Sequence, residues 1–236
     1  ARRFALDQGR RRLAGKNIFM SRIFESRIDA ARRLAQALGA YNGRNPLVLA
    51  IPRGAVAMGA EIARLLEGEL DVVLVKKLHA PGSPEFAVGA IDESGWTYVA
   101  PYAASAGADE AYLAREKDAE LALLRRRRAQ YTPARAPADP AGRIAIVVDD
   151  GIATGASMIA ALHAVRAKKP ARLVCAVPVA PAESLEQIRP YADELVCLET
   201  PGGFMAVGQF YRHFEQVEDE EVVALLARHG QRAAAA

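Results

Sequence analysis

The stretch that most constrains the fold is IAIVVDDGIATGAS, residues 144–157. It begins with five apolar residues, a pattern typical of a strand buried on both faces of a parallel sheet. That run ends in the adjacent carboxylates of Asp149 and Asp150. Glycines then allow a turn, and a helix is predicted from about Gly155 to Ala167. A strand, a polar turn and a helix in this order predict one unit of an α/β fold.

The residue types in this turn indicate the ligand. The two aspartates lie where a buried strand meets solvent, and adjacent carboxylates repel each other. A ribose diol can donate two hydrogen bonds to such a pair, and a divalent cation can neutralise it. The glycine turn and the helix N-terminus present backbone N–H groups, and Thr154 and Ser157 add hydroxyls, which together suit one dianionic phosphate. Diol and phosphate sites this close together predict a ribose 5-phosphate.

Other proteins also end an apolar strand in acids. A P-loop nucleotide hydrolase would need the motif GxxxxGK[ST], which the sequence lacks. A response-regulator receiver would need a lysine on a later strand, and no lysine follows Lys169. A solvated strand end with a capping turn would not require acids, glycines and hydroxyls in the order of a phosphate site.

The rest of the chain alternates strand-like and helix-like segments, which predicts a doubly wound, mostly parallel sheet. Predicted strands cover residues 46–52, 71–78, 86–91, 96–100, 144–150, 172–179 and 194–199. Predicted helices run from a cap at Ser21 to about Leu38, over 54–68, 109–130, 155–167 and 182–189, and onward from 218. Residues 79–85 are rich in turn formers and are predicted to be mobile, and residues 131–142 form a proline-broken linker.

Ligands of doubly wound sheets bind beyond the carboxyl ends of the strands. This rule brings together four loops, at residues 52–55, 76–85, 149–157 and 200–204. In the first loop, Arg53 follows a buried strand and precedes a helix. Its guanidinium could pair with a diphosphate, or it could be a surface arginine in an ordinary turn.

The charge of the chain is uneven. Residues 1–19 hold six basic residues and one acid, a net charge of +5, so the +3 of the whole chain leaves −2 for residues 20–236. Residues 1–19 are therefore predicted to be a leader before a start at Met20, and nucleic acid is not an expected partner. No apolar run approaches 18 residues, so no membrane partner is expected and a cytoplasmic location is predicted. Cys175 and Cys197 lie in apolar runs and are predicted to be buried, reduced thiols.

The stretch 144–157 resembles the phosphoribosyl pyrophosphate (PRPP) motif of type I phosphoribosyltransferases, an apolar strand and two acids followed by a loop ending in TG-x-[ST]. From Met20 onward the chain is similar to a bacterial subgroup of predicted phosphoribosyltransferases, through the segments IPRGAVAMGAEIA, VKKLHAPGSPEFAVGAI, VPVAP and AVGQFYRHFEQVEDEEV. The resemblance implies a five-stranded, mostly parallel core sheet with a smaller hood. Residues 20–236 would form this single domain.

The resemblance also implies roles for individual residues. Asp149 and Asp150 would hold the ribose 2′- and 3′-hydroxyls, directly or through Mg²⁺, the implied cofactor. The residues that would wrap the 5′-phosphate are Ala153, Thr154, Gly155, Ala156 and Ser157. Pyrophosphate would contact Arg53, Gly54 and Lys77, and a strained or cis peptide is expected at Arg53–Gly54.

Three further segments leave alternatives open. His79 and Glu85 lie where a lid would close over PRPP, and could equally belong to a solvated loop. The arginines at 125–128 end a helix and are expected to stay solvated, with RNA binding as the alternative. Four aromatic residues could stack on a flat base or belong to the core: Phe204, Phe210, Tyr211 and Phe214.

The function that these features predict is transfer of ribosyl 5-phosphate from PRPP to a nitrogenous base, with release of pyrophosphate. A non-catalytic protein that senses PRPP or a nucleotide is the alternative. A module that partners a hydrolase is a third possibility, although the hydrolase motif GxSxG is absent from the sequence. The sequence leaves open which base is used and whether the protein is a homo-oligomer.

Overall fold

The computed structural model describes residues 23–133 and 136–234 of the chain, with the backbone alone for Glu85 and residues 231–234. The helices are α1 Arg27–Ala37, α2 Ala55–Leu65, α3 Glu110–Tyr131, α4 Ala156–Ala167, α5 Ala182–Ile188 and α6 Asp219–Ala234. The strands are β1 Leu47–Ala50, β2 Glu69–Val72, β3 Val75–Ala80, β4 Ser83–Asp92, β5 Thr97–Val99, β6 Ile144–Val148, β7 Arg172–Val179 and β8 Glu194–Glu199.

The core sheet has five parallel strands in the order β2-β1-β6-β7-β8. Alternate residues of each strand point to opposite faces, so β1 sends Val48 to one apolar cluster with α1, α2 and α6, and Leu49 to another with α4 and α5. Both faces are covered by helices, which explains why the central strands are continuous apolar runs. The predicted α/β fold with a doubly wound, five-stranded parallel sheet is confirmed.

A second, antiparallel sheet of strands β3-β4-β5 forms the hood. The prediction of one strand over 71–78 is wrong, because the chain leaves the core sheet after Val73, whose N–H still donates to Ala50 at 3.1 Å. Val73 and Leu74 are both buried, so the sequence stays apolar where the chain passes from the core sheet to the second sheet. The sequence pattern therefore does not show this change of sheet. The segment 79–85 is mostly hairpin strand rather than loop, since its turn occupies only Pro81 and Gly82.

The hood packs on α4. Ala90 of β4 forms an apolar cluster with Ala156 and Ala160 of α4. Nearby, the Trp96 ring stacks on the His163 ring with 3.6 Å between centroids. Because α4 begins beside the acidic turn, this packing fixes the hood relative to that turn.

Helix α1 begins later than predicted. Its N-cap is Ser26, whose hydroxyl accepts a hydrogen bond from the N–H of Asp29 at 3.3 Å, whereas Ser21 lies outside the described residues. Phe24 therefore precedes the helix. Its backbone forms an isolated β-bridge with Tyr211, and the two rings pack with their centroids 5.4 Å apart. This bridge places the start of α1 against the segment that follows β8.

One arginine of the 125–128 run is not solvated. Arg128 donates to Glu93 at 2.5 and 2.8 Å, and its Nη1 lies 3.5 Å from the buried Asp71. Leu124 and Tyr131 are buried on the same helical face, which is the face that α3 turns toward the core. The ion pairs join the hood, through Glu93, to the edge strand of the core sheet, through Asp71.

Both cysteines are free thiols, Cys175 buried and Cys197 half-buried. Burial raises the pKa of both, so neither is activated as a thiolate. Within residues 23–133 and 136–234, no helix is long and apolar enough to cross a bilayer. The predicted leader, residues 1–19, lies outside the described residues.

Candidate active site

The acidic turn borders a cavity of about 260 Å³ at the carboxyl edge of the core sheet. Three parts of the sequence line it: Lys77 from the hood, Asp149, and the loop 151–158. A second cavity of about 640 Å³ is bordered by the other carboxylate, Asp150. Its lining residues are Arg27, Arg53, Gly54, Asp150 and residues 214–217. The structure therefore brings together three of the four predicted loops.

The loop before α4 has the features of an anion site. Gly155 has a φ of +84°, a conformation that glycine adopts without strain, and it offers no side chain to cap the helix. The N–H groups of the first turn therefore remain available beside the cavity. Thr154 is exposed at the rim, and the Ser184 hydroxyl of α5 donates to the Ala153 carbonyl at 2.5 Å. This hydrogen bond ties the loop to α5.

The carboxylates of Asp149 and Asp150, the acid pair, are partly buried, and their negative charges repel each other. Burial raises the pKa of the Asp149 carboxyl well above its usual range, and the adjacent charge of Asp150 adds to the rise. Burial also raises the pKa of Asp150, against the opposing effects of Arg27 and Lys77. Asp149 Oδ1 accepts from the N–H of Asp150 at 2.8 Å, which fixes its carboxylate. A cation or hydroxyl ligand would relieve this repulsion.

The loop after β1 lies against Asp150. A Cβ on Gly54 would lie 2.3 Å from Asp150 Oδ2, so only glycine allows this contact. The Arg53 Nη1 lies 3.5 Å from Glu218 and 3.9 Å from Asp219 at the start of α6. The cis peptide is Pro52–Arg53, so the expected position at Arg53–Gly54 is wrong by one bond. The resemblance locates the loop but does not resolve which of its bonds is cis.

Sequence reasoning missed Arg27, the first residue of α1. Its Nε donates to Asp150 Oδ2 at 2.8 Å, and its Nη1 donates to the Glu215 carbonyl at 2.6 Å. The guanidinium also lies over the Phe214 ring, 3.8 Å from the centroid. Arg27 and Asp150 are 123 residues apart, and nothing in the local pattern distinguishes Arg27 from other helical arginines.

The two lysines of β3 point in different directions. Lys77 borders the first cavity, whereas Lys76 Nζ lies 4.0 Å from Glu120 on α3. His79 borders neither cavity and lies in β3, where its carbonyl accepts from the Tyr112 hydroxyl at 3.0 Å. The side chain of Glu85 is not among those described, so its predicted role remains a prediction.

The four aromatic residues after β8 do not form one face. Phe210 and Tyr211 are buried, and Phe204 packs on Phe210 with centroids 5.0 Å apart. The Tyr211 hydroxyl donates to the Asp150 carbonyl at 2.6 Å, so it supports the backbone of the acid pair. Phe214 is 38% exposed and faces the second cavity. Most of this segment therefore builds the site rather than presenting a stacking surface.

A resident metal would have few protein ligands here. Among the described residues, no group of three or more histidine, cysteine or acidic side chains could hold a metal ion. The acid pair offers two hard carboxylates, and Mg²⁺ commonly binds through one or two carboxylates with substrate phosphates and water. Asp149 and Asp150 therefore fit an Mg²⁺ ion that arrives together with a phosphorylated ligand.

The chain is similar to known proteins in sequence and in fold. A crystal structure of the protein TT1426 from Thermus thermophilus is 47% identical, with a TM-score of 0.74 over 87% of this chain and 98% of that one. A protein of Mycobacterium tuberculosis strain H37Rv, named "Putative phosphoribosyl transferase Rv0571c", is 42% identical over 208 residues. That match covers 88% of this chain, and the chain spans about half, 47%, of the relative. The model of the phosphoribosyl transferase domain family matches residues 21–213. The chain therefore belongs to the phosphoribosyl transferase domain family.

Proposed function

We propose that this domain binds PRPP and transfers its ribosyl 5-phosphate to a nitrogenous base, with release of pyrophosphate. One observation carries the proposal. Asp149, Lys77 and the uncapped start of α4 border a single cavity, and Asp150 borders the neighbouring second cavity. Carboxylates for a ribose diol and N–H donors for its 5′-phosphate therefore lie side by side.

The proposed roles follow the geometry. Backbone N–H groups of residues 153–157, with the hydroxyls of Thr154 and Ser157, would hold the 5′-phosphate. Asp149 and Asp150 would accept hydrogen bonds from the ribose hydroxyls. Arg53 and Gly54 would contact the pyrophosphate from the second cavity, and Lys77 would approach it from the hood. Bound Mg²⁺ would neutralise charge on the diphosphate and on the acid pair.

The reaction itself needs little chemistry from side chains. The bond between C1′ of the ribose and the pyrophosphate oxygen breaks, and its electron pair leaves with pyrophosphate. A nitrogen lone pair of the base forms the new bond to C1′ through an oxocarbenium-like transition state. Negative charge grows on the leaving group, so fixed cations beside it would stabilise the transition state more than the bound donor.

One observation favours a second candidate, a non-catalytic sensor of PRPP or a nucleotide. The Arg53 guanidinium is directed to Glu218 and Asp219 rather than to the acid pair. A protein that only binds the ligand would not require Arg53 to leave these partners.

The test is pyrophosphate release from PRPP and Mg²⁺ across a panel of purine, pyrimidine and pyridine bases. Calorimetric titration with PRPP runs in parallel. Release with at least one base supports the transferase. Binding of PRPP without release from any base supports the sensor, and the absence of PRPP binding refutes both. The Asp149→Asn/Asp150→Asn variant is the control for site-specific binding.

A further inference from the structure

The Arg27 side chain is the contact point of four separate parts of the chain. It belongs to α1, pairs with Asp150 after β6, donates to the Glu215 carbonyl and lies over Phe214. Its Nη2 is 2.9 Å from the position of a Cβ on Gly54, so it also lies against the loop after β1. Only 13% of the side chain is exposed.

These contacts use two of the three nitrogen atoms of the guanidinium. Nε and Nη1 donate to the acceptors already named, whereas Nη2 donates to none of the described residues. Nη2 is therefore a donor that lies against the Gly54 backbone, where Asp150 Oδ2 occupies the space that a side chain would fill. Arg27, Gly54 and Asp150 all line the second cavity. The second cavity, about 640 Å³, opens at this point.

The ion pair with Asp150 is the contact that a ligand would change. A divalent cation or a ribose hydroxyl at Asp150 competes with Arg27 for the same oxygen, Oδ2. A hydroxyl at that oxygen would take the hydrogen bond from the guanidinium, and a divalent cation there would also offset the negative charge that faces it in a poorly solvated place. A diphosphate beside Gly54 would restore it, because guanidinium binds phosphate oxygens through two parallel hydrogen bonds.

We propose that Arg27 is a pyrophosphate-binding residue. In the ligand-free protein its guanidinium pairs with Asp150, and when the ligand binds the guanidinium pairs with the diphosphate instead. This inference rests on the proposed function for its ligand. Arg27 is better placed for this role than Arg53, because Arg53 has two acidic neighbours at the start of α6. Within the part of the chain that the structure describes, Arg27 pairs with one carboxylate, that of Asp150.

The exchange predicts two effects of Arg27→Ala with opposite signs. Affinity for inorganic pyrophosphate in Mg²⁺ should fall at least about tenfold, the scale of a lost charge-assisted hydrogen bond. Affinity for Mn²⁺ alone, used as a probe of the acid pair, should rise, because Asp150 no longer has a competing cation. If Arg27 only stabilised the fold, Arg27→Ala would lower the affinity for pyrophosphate and the affinity for Mn²⁺ alike. Calorimetry and Mn²⁺ electron paramagnetic resonance on the full chain measure the two affinities.

Matched variants separate the role from general effects. Arg33→Ala removes the same charge from the same helix, where Arg33 pairs with Asp29 at 2.7 Å on the surface, and both affinities should match wild type. Arg27→Lys retains the charge without the two-pronged donor, so pyrophosphate affinity should lie between wild type and Arg27→Ala. Thermal unfolding of each variant confirms that it is folded before its affinities are compared.

The outcomes distinguish this inference from the proposed function. If Arg27→Ala binds pyrophosphate within about twofold of wild type, or binds Mn²⁺ no more tightly, Arg27 does not exchange and the inference is overturned. If wild type binds pyrophosphate through Arg27 but releases none from PRPP with any base, the inference stands and the transfer reaction fails.

Discussion

Gly54 and Asp150 approach so closely that a Cβ on Gly54 would lie 2.3 Å from Asp150 Oδ2. The loop after β1 and the turn after β6 therefore touch through a glycine and a carboxylate. Any side chain at position 54 must displace either the acid pair or Arg27, whose Nη2 is 2.9 Å from the same point. This contact fixes the distance between the proposed pyrophosphate and ribose subsites.

Gly54→Ala should destabilise the protein by about 1–3 kcal/mol, as overpacking of a filled site does. It should also weaken PRPP binding, because Asp150 moves from the position in which we propose that it contacts the ribose. Denaturant unfolding and calorimetry measure the two effects. Gly39→Ala is the control, since a Cβ there meets nothing within 4 Å. Wild-type PRPP affinity in Gly54→Ala would show that the contact does not position the acid pair.

Asp149→Asn combined with Asp150→Asn removes both charges while retaining the side-chain shapes. PRPP affinity in Mg²⁺ should fall by roughly 2–4 kcal/mol, as charged hydrogen bonds and metal contacts are lost together. Calorimetry in the presence and absence of Mg²⁺ separates the two contributions. Unchanged PRPP affinity in this variant would remove the acid pair from the ribose site.

Asp149→Asn alone should change how stability depends on pH. Burial and the charge of Asp150 raise the pKa of Asp149 in the folded protein, so folding disfavours its charged form. Wild-type stability relative to the variant should be greatest below the unfolded pKa of about 3.9 and should fall as the pH rises through the raised folded value. Denaturant unfolding from about pH 3.5 to 8 measures the difference, with the exposed Asp118→Asn as control. A difference that does not vary with pH would contradict the raised pKa.

Arg53→Ala should lower turnover by about 10²-fold while PRPP binding weakens much less, the pattern of a lost transition-state donor. The residues proposed to hold the phosphate and the ribose remain intact, so ground-state binding should be preserved. Glu218→Gln is the control, because it removes the partner 3.5 Å from Arg53 and leaves the guanidinium in place. Equal losses of turnover and affinity would indicate uniform binding instead.

Arg128→Met should destabilise the protein by about 3–5 kcal/mol, since it removes the guanidinium that pairs with Glu93 and lies 3.5 Å from the buried Asp71. Arg125→Met in the same arginine run is the control, because Arg125 is exposed and its replacement should leave unfolding unchanged. Denaturant unfolding provides the comparison. Equal stability of the two variants would show that the ion pairs do not join the hood to the core.

The parts of this structure that sequence could predict are those encoded in neighbouring residues. The unit of β6, turn and α4 follows directly from an apolar run, two acids and glycines, and the core sheet follows from repetition of such units. The change of sheet between β2 and β3 is not visible, because Val73 and Leu74 keep the run apolar. The ion pair of Arg27 with Asp150 and the hydrogen bond of Tyr211 to Asp150 join residues 123 and 61 positions apart. Periodicity carries no information on such pairs, since it reports only which face of an element is buried.

Because the hood packs on α4, substitutions in the hood and substitutions elsewhere should affect this site differently. Ala90 meets Ala156 and Ala160 in the helix whose first turn would bind the phosphate, so altered hood strands would disturb the phosphate site as well. The segment 200–206 is different, because it is held through the Gln209 amide and ends near Met205, which is 85% exposed. Residues 200–206 line neither described cavity, so substitutions there should leave donor binding intact.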